Sequence, residues 1–464
     1  MPVIIILADG ARADSLPALI DAGVLPNLAR LRRDGSMHTV SSVFPSVTGP
    51  AYTPFLLGRF PGAVGLPGLR WYDRTRARCH FPGTRSYLGH ELRHIDGDLA
   101  ADAPTMFELA RTKLGSMNMI NRGLRRPDQL GYGLRFALRA AGTHFRGDVR
   151  GWLRIDRDMG RDVARHIRTH RPEFAFAAFT GVDKTSHQSG HNSLAVTEAL
   201  RIVDGVVEEI RHDAERTGEW ESTALWVVSD HGHSPVQRHD DLADVIRAAG
   251  LRVIGHPWVY HRWNVAVMVS GNAMAHLYVE PERRTRPWWP ELAARWEWLA
   301  SLLLDRPSVD LLMLPHDATR CEIRARGRGT AMLELRGGRY EYRPRTGDPL
   351  GIGPRCGLDA DEAHAACDAS DYPDALVQIL ALAGSARAGE IILSAARGWD
   401  YRARYEPIHH VSAHGALHRE HMLVPLLTNR PLARTPLRTA DVMPSALRSL
   451  GLSEPAGLDG RAFV

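Results

Sequence analysis

Trp226-Val227-Val228-Ser229-Asp230-His231-Gly232-His233 decides how the rest of the chain is read. The run from Ala224 to Val228 is apolar without alternation, so it reads as a strand buried on both faces. It stops abruptly at Ser-Asp-His-Gly. A buried strand thus delivers a carboxylate and an imidazole side by side at its carboxyl end, where open α/β sheets bind ligands. Asp beside His suits a divalent cation. The same tetrapeptide also serves as a plain strand-ending turn, so the reading depends on whether other strand ends supply further ligands.

Two of them do. The apolar run at 3–7 ends at Ala8-Asp9-Gly10, and Phe174–Phe179 ends in Thr180-Gly181-Val182-Asp183-Lys184-Thr185-Ser186-His187. One helical turn puts Asp183 and His187 on the same face, able to share an ion. A helix over 193–216, with its apolar stripe at Leu200, Val203, Val207 and Ile210, leads into the Trp226 strand. That is a β-α-β unit, which predicts parallel strands. The densest histidine cluster, His409-His410-Val411-Ser412-Ala413-His414-Gly415-Ala416-Leu417-His418-Arg419-Glu420-His421, precedes one more apolar run at 422–427. Asp9, Asp183, Asp230, His187, His231 and His414 suffice for two divalent ions with three ligands each. Three protein ligands plus an open position mark a catalytic site.

Ser46 and Thr48 stand just before an apolar, helical-looking segment, Pro50-Ala51-Tyr52-Thr53-Pro54-Phe55-Leu56-Leu57. A hydroxyl there either caps the helix or marks an anion site at its N-terminus, where it is placed to be a nucleophile.

Composition bounds the rest. The 464 residues are 44% hydrophobic and 24% charged, the balance of a soluble globular protein. A net charge of +5 is small for this length, and no basic run carries interleaved aromatics, so no nucleic acid polymer is implied. The cysteines, Cys79, Cys321, Cys356 and Cys367, are scattered, which argues against a zinc ribbon or a disulfide-stapled module. Neither a signal peptide nor a run of ~20 apolar residues is seen, so a cytoplasmic enzyme without a membrane span is expected. Oligomeric state stays open.

The expected fold class is α/β, a single domain over 1–464. Residues 122–150, basic and glycine-punctuated, read as a possible cap insertion. Residues 316–350 read as a small antiparallel β insertion, because alternating runs flank Gly337-Gly338. Helices are expected over 106–113, 156–170 and 296–304, and a strand over 117–120.

Taken together the motifs resemble the alkaline phosphatase superfamily, specifically its type I phosphodiesterase/nucleotide pyrophosphatase-like branch. The resemblance rests on Asp9 after a strand, Pro-Ser-x-Thr at 45–48, Asp-x-x-x-His at 183–187, Ser-Asp-His-Gly at 229–232 and His414-Gly415, in the expected order. Ala199 to Asp204 also resembles that family's linking helix. A mostly parallel central sheet flanked by helices is implied, together with metal-dependent hydrolysis of small phosphate esters, phosphodiesters foremost. By the same resemblance Asp183, His187 and His414 hold one divalent ion. Asp9, Asp230, His231 and the Thr48 oxygen hold the other. Zinc suits such a set best, with manganese as the other fit. Thr48 is then the nucleophile that carries a phosphothreonine intermediate, and the Gly49 N–H meets the phosphoryl oxygens.

One departure is informative. The family usually has Pro-Asn after the nucleophile, and this chain has Pro50-Ala51. Tyr52, Arg122 or Lys184 must replace the missing donor, which weakens the case for nucleotide substrates. The sulfatase branch is disfavoured, since 44–54 hold no C/S-x-P-x-R. A phosphomonoesterase, a phosphonate hydrolase and a non-catalytic phosphate-binding member are the rival readings. His233, His409, His410, His418 and His421 either orient ligands or are ordinary surface or core histidines, and the second reading is the commoner one for each. Trp288, Trp289, Trp296 and Trp298 either line a leaving-group pocket or pack a core, and packing is the safer reading.

Overall fold

Val3–Ala8 is the central strand, with all six residues buried. Phe174–Phe179 pairs with it in parallel on one side and Ala224–Val228 on the other. Each of these neighbours is also buried throughout, which is why none of the three alternates in sequence. In this computed structural model, residues 1–75, 84–87, 89–255, 263–402 and 408–464 are described. Cys79 lies outside them.

The seven-stranded sheet runs in the order Ser36–Ser41, Leu423–Thr428, Ala224–Val228, Val3–Ala8, Phe174–Phe179, Lys113–Ser116, Gln129–Leu130. Leu423–Thr428 is antiparallel to both of its neighbours, and the other pairings are parallel. Register positions the chemistry. Leu7 lies opposite Val228, so two residues further on Asp9 and Asp230 emerge side by side. Ala8 lies opposite Phe179, and Asp183 follows one turn into the helix Gly181–Ser189. The helix Leu194–Arg216 packs its apolar stripe under this sheet, capped by Ser193, whose hydroxyl accepts from the Val196 N–H. The fold is thus α/β with a mostly parallel central sheet, as its sequence implies.

The hairpin about Gly337-Gly338 forms, with Leu335 opposite Tyr340. The antiparallel part extends further than 316–350. Gly329–Arg336 and Arg339–Gly347 belong to a nine-stranded sheet that also takes in Val265–Ser270, Met274–Val279, Ile391–Ala395 and Val309–Pro315. Its pairings are antiparallel except the first, Val253–Gly255 against Val265–Ser270.

Several element bounds differ from expectation. The helix expected over 106–113 opens with a Thr105/Glu108 capping box but covers only Met106–Leu109, with Ala110 already extended, and the strand is Lys113–Ser116 instead of 117–120. Met117 has φ 50, which ends strand pairing before the apolar residues that suggested it. The helix expected over 156–170 begins earlier, as Val149–His170, because Asp148 accepts from Gly151 N–H at 2.8 Å and caps it. Within 122–150 a separate helix forms, Leu134–Phe145. The helix expected over 296–304 begins at Trp289, with Pro290 tolerated in its first turn.

Candidate metal centre

Four nitrogen- or oxygen-bearing side chains meet at one oxygen. His233 Nε2 lies 3.0 Å, His187 Nε2 3.1 Å and His414 Nε2 3.5 Å from Asp183 Oδ1. Beside them is a second group. His231 Nε2 lies 3.3 Å from Asp9 Oδ1, 3.5 Å from Asp230 Oδ2 and 3.0 Å from Thr48 Oγ1. Thr48 Oγ1 is 3.2 Å from Asp9 Oδ1. The His231 and His414 rings stack at 3.7 Å, joining the two groups. All of the carboxylates and imidazoles are buried.

Hydrogen bonding on the far side of each ring fixes what faces the centre. His187 Nδ1 meets Ser412 O at 2.8 Å, His414 Nδ1 meets Ser46 O at 3.0 Å and His231 Nδ1 meets Gly232 O at 3.2 Å. A carbonyl only accepts, so each Nδ1 carries the proton and each Nε2 points a lone pair inward. His233 reaches the same state by a longer route. Ser412 Oγ donates to Ser234 O, so His233 Nδ1, 3.2 Å away, donates to Ser412 Oγ. Imidazole nitrogens therefore converge on carboxylate oxygens, a donor set that could hold a metal ion.

Charge agrees with this. Burial, then Asp230 and Asp183, push the Asp9 carboxyl well above its usual range. Burial and Asp183 lift Asp230 to about 7. Burial would also raise Asp183, but Lys184, His187 and His233 outweigh it and hold that carboxyl well below the usual range. Burial pushes His231 down to about 3, His233 to about 4 and His414 well below its usual value, so these rings are neutral. Asp230 Oδ2, buried, has no hydrogen-bond partner. Three carboxylates amid buried imidazoles, one of their oxygens orphaned, form a cluster that could hold a metal ion. Geometrically, two sets could each hold one: Asp183, His231, His233 and His414, and Asp9, Asp230 and His231.

Of the ligands named from the sequence, Asp9, Asp183, Asp230, His231 and His414 fall in these two sets, while His187 and Thr48 lie against them, 3.1 Å from Asp183 Oδ1 and 3.2 Å from Asp9 Oδ1. Thr48 does not cap a helix: Gly49, at φ 95, intervenes before a short 3₁₀ turn, Pro50–Tyr52, and then Thr53–Leu57. Ser46 instead donates to Ala416 O at 2.9 Å, tying the Thr48 loop to the His414 segment. Of the donors considered in place of the missing Asn, Lys184 Nζ stands 2.7 Å from Asp183 Oδ2 and its side chain is 28% exposed. Tyr52 is buried, with its hydroxyl 3.4 Å from Asp9 Oδ2. Arg122 is turned away, bound to Glu108 at 3.0 Å and to the carbonyls of Ala100 and Ala103.

Sequence reasoning undervalued His233. Its position two residues after His231 was the available signal, and Gly10 is the other half of it. Gly10 sits at φ +82, and a Cβ there would meet the His233 ring at 2.9 Å. His410 stacks on His187 at 4.2 Å and lies 2.7 Å from Asn272 Nδ2, while His421 Nε2 meets Ser234 Oγ at 2.8 Å. His418 is buried, 2.9 Å from Glu420, and His409 is exposed. Of the tryptophans, Trp289 and Trp296 pack against the second sheet, Trp288 lies under Arg286 at 4.6 Å, and Trp298 is exposed.

The profile of type I phosphodiesterases / nucleotide pyrophosphatases matches residues 3–294. The chain belongs to that family. It is accordingly a phosphoric ester hydrolase of the alkaline phosphatase superfamily. None of the curated proteins matches the chain in sequence. Among solved structures, phosphonoacetate hydrolase from Sinorhizobium meliloti 1021, in complex with phosphonoformate, is similar at 17% identity and TM-score 0.57, over 97% of this chain and 96% of its own. Murine ectonucleotide pyrophosphatase / phosphodiesterase 5, as an inactive threonine-to-alanine variant with AMP, is similar at 13% identity and TM-score 0.60, over 99% and 97%. The human counterpart is similar at 13% identity and TM-score 0.58, over the same shares. At these identities the likeness concerns the fold.

Proposed function

We propose that this type I phosphodiesterase family member cleaves small phosphodiesters by double displacement through Thr48, with two divalent ions, zinc first and manganese second. Asp183, His187 and His414 would hold one ion, with His233 beside them. Asp9, Asp230, His231 and Thr48 Oγ1 would hold the other. The observation that carries this reading is the set of inward Nε2 lone pairs of His187, His231 and His414, each locked by a carbonyl on its Nδ1. Ions bound there would acidify the attacking hydroxyl and spread charge from the transferred phosphoryl group.

The residues do the rest. Thr48 Oγ1, 3.2 Å from Asp9 Oδ1, gives up its proton and forms the bond to phosphorus, while the bond to the ester oxygen opposite it breaks. The departing alcohol oxygen takes a proton from water. Water then attacks the phosphothreonine, the Thr48 oxygen leaves and is reprotonated, and phosphomonoester is released. The Gly49 N–H and Lys184 Nζ are the chain's donors to the non-bridging oxygens. Mutation of a threonine to alanine in the inactive phosphodiesterase 5 relative supports the role given to Thr48.

A second reading has its own observation. Lys184 adds a cation beside Asp183 where the family's neutral Asn is missing, and an extra cation suits the extra charge of a monoester or a phosphonate. Turnover of bis-p-nitrophenyl phosphate, p-nitrophenyl phosphate and phosphonoacetate, each with Zn²⁺, Mn²⁺ or EDTA, separates the two. Diester preference abolished by EDTA supports the proposal. Monoester or phosphonate preference favours the second reading, and no turnover with metal bound overturns both.

A further inference from the structure

We propose that the helix Leu134–Phe145 docks this protein on an anionic lipid surface, beside the helix that carries Asp183 and His187. Among the described residues seven large hydrophobic side chains are exposed, and four of them fall in 132–145: Tyr132 at 40%, Leu134 at 75%, Leu138 at 64% and Phe145 at 68%. Scattered exposed apolar residues are ordinary, but a cluster on one short helix is not. At about 100° per residue, Leu134, Leu138, Ala141 and Phe145 share one stripe. Thr143, on the opposite side, is buried. Arg135 and Arg146 lie along one flank of the stripe, and Arg139, further round the helix, pairs with Asp158 at 2.7 Å.

Charge selects the occupant. Residues 122–150 carry seven arginines against two aspartates, a net +5 that equals the charge of the whole chain. Arg125, Arg126, Arg135 and Arg150 pair with no carboxylate among the described residues. A second copy of this chain seated on the same face would bring two such segments together, and like charges oppose that contact. An apolar stripe with an arginine flank on a short helix is the pattern of an interfacial helix lying in the headgroup region, where apolar burial and anionic lipid act together. It is consistent with the finding that no helix among the described residues is long and apolar enough to cross a membrane.

Placement links the surface to the site. His144, on the flank of the stripe away from the arginines, sits in the field of Lys184, His187 and Asp183. Just past the helix, Gly147 approaches Gln188, in the helix that carries Asp183 and His187. A lipid surface on the stripe would therefore lie beside the helix that carries Asp183 and His187.

The test is co-flotation of the full-length protein with phosphatidylcholine vesicles and with 3:1 phosphatidylcholine:phosphatidylserine vesicles. A Leu134→Gln/Leu138→Gln/Phe145→Gln variant and an Arg125→Gln/Arg126→Gln/Arg135→Gln variant are floated alongside. Binding to the anionic vesicles at low salt is expected, falling about tenfold or more in either variant and in ~0.5 M NaCl, where charges are screened. Unchanged turnover of the soluble diester keeps the variants interpretable and reads the Thr48 proposal separately. Absence of vesicle binding by the parent overturns the inference. So does equal binding to neutral vesicles, or a parent that is dimeric by light scattering and becomes monomeric in the glutamine stripe variant.

Discussion

His231 Nε2 lies 3.0 Å from Thr48 Oγ1, and its Nδ1 is held by the Gly232 carbonyl. Thr48 has one proton, and Asp9 Oδ1 at 3.2 Å is there to accept it. His231 Nε2, the Thr48 oxygen and Asp9 Oδ1 thus converge on one point, as ligands of one ion would. Thr48→Ala removes the attacking oxygen and leaves the imidazole and both carboxylates. Turnover of bis-p-nitrophenyl phosphate is expected to fall by ~10³-fold or more, with kcat carrying the loss, while metal content by mass spectrometry falls by no more than about half. Thr48→Ser restores part of the rate. Undiminished turnover by the alanine variant removes Thr48 from the reaction.

His233 tests how far the cluster extends beyond its expected members. Its Nε2 is as close to Asp183 Oδ1 as that of His187, and it is wholly buried. His233→Leu keeps the volume and deletes the lone pair. A roughly 10- to 100-fold weaker metal affinity, read by chelator competition, is expected for a residue that ligates or orients. An affinity equal to that of the parent makes His233 a packing residue that merely needs Gly10 beside it.

The parts legible in sequence were those with a local signature. Runs that never alternate gave the three central strands, and a carboxylate just past each gave Asp9, Asp183 and Asp230, because parallel register alone brings strand ends together. His187 followed from its spacing to Asp183. The obscure parts depend on partners distant in the chain. The strand at Lys113–Ser116 has small residues, Gly115 and Ser116, that pair well with Phe176 and Ala177 but carry little hydrophobic signal. The nine-stranded sheet assembles segments from 253 to 358 around Ile391–Ala395, an order no local pattern encodes. His233 was obscured because its function needs Ser412 and Asp183 in place, and Arg122 was overvalued because its ties to Glu108, Ala100 and Ala103 cannot be read from spacing.

Metal binding should be linked to carboxylate protons and hardly to imidazole ones. Asp230, lifted to about 7, holds its proton in the metal-free protein below neutrality, and Asp9, also raised, keeps its proton to higher pH than an ordinary carboxyl. His231 and His233 are already neutral above about pH 4. A cation must displace the carboxyl protons, so affinity is expected to rise from pH 5 to about 7.5 and then level off. Calorimetry at pH 6 in two buffers of different ionisation enthalpy reads the protons released, and about one to two are expected per protein loaded with Zn²⁺. Affinity independent of pH over that range would mean that these carboxyls are ionised before the metal arrives.

Asp156 makes a stability prediction that is independent of the metal. It is buried in the helix Val149–His170, Oδ2 accepts from Gly181 N–H at 2.7 Å, and Oδ1 has no partner. Burial lifts its carboxyl to about 7, against the ordinary 3.8, despite the Gly181 and Thr180 amides. The folded protein therefore binds this proton more tightly than the unfolded chain does. The stabilisation is complete below about pH 4 and is lost as pH rises through 7; above that the buried carboxylate costs up to about 4 kcal/mol. Asp156→Asn keeps an oxygen for the Gly181 N–H and never ionises. Its Tm should match the parent near pH 4 and exceed it by several degrees near pH 8. Gly181 opens the helix that carries Asp183 and His187, and a Cβ there would come within 2.5 Å of Asp156 Oδ2, so this contact sets how closely the two helices approach. If the asparagine variant melts lower than the parent at pH 8, the ionised carboxylate is an anchor for that helix start and the burial cost has been overcome by the two amides.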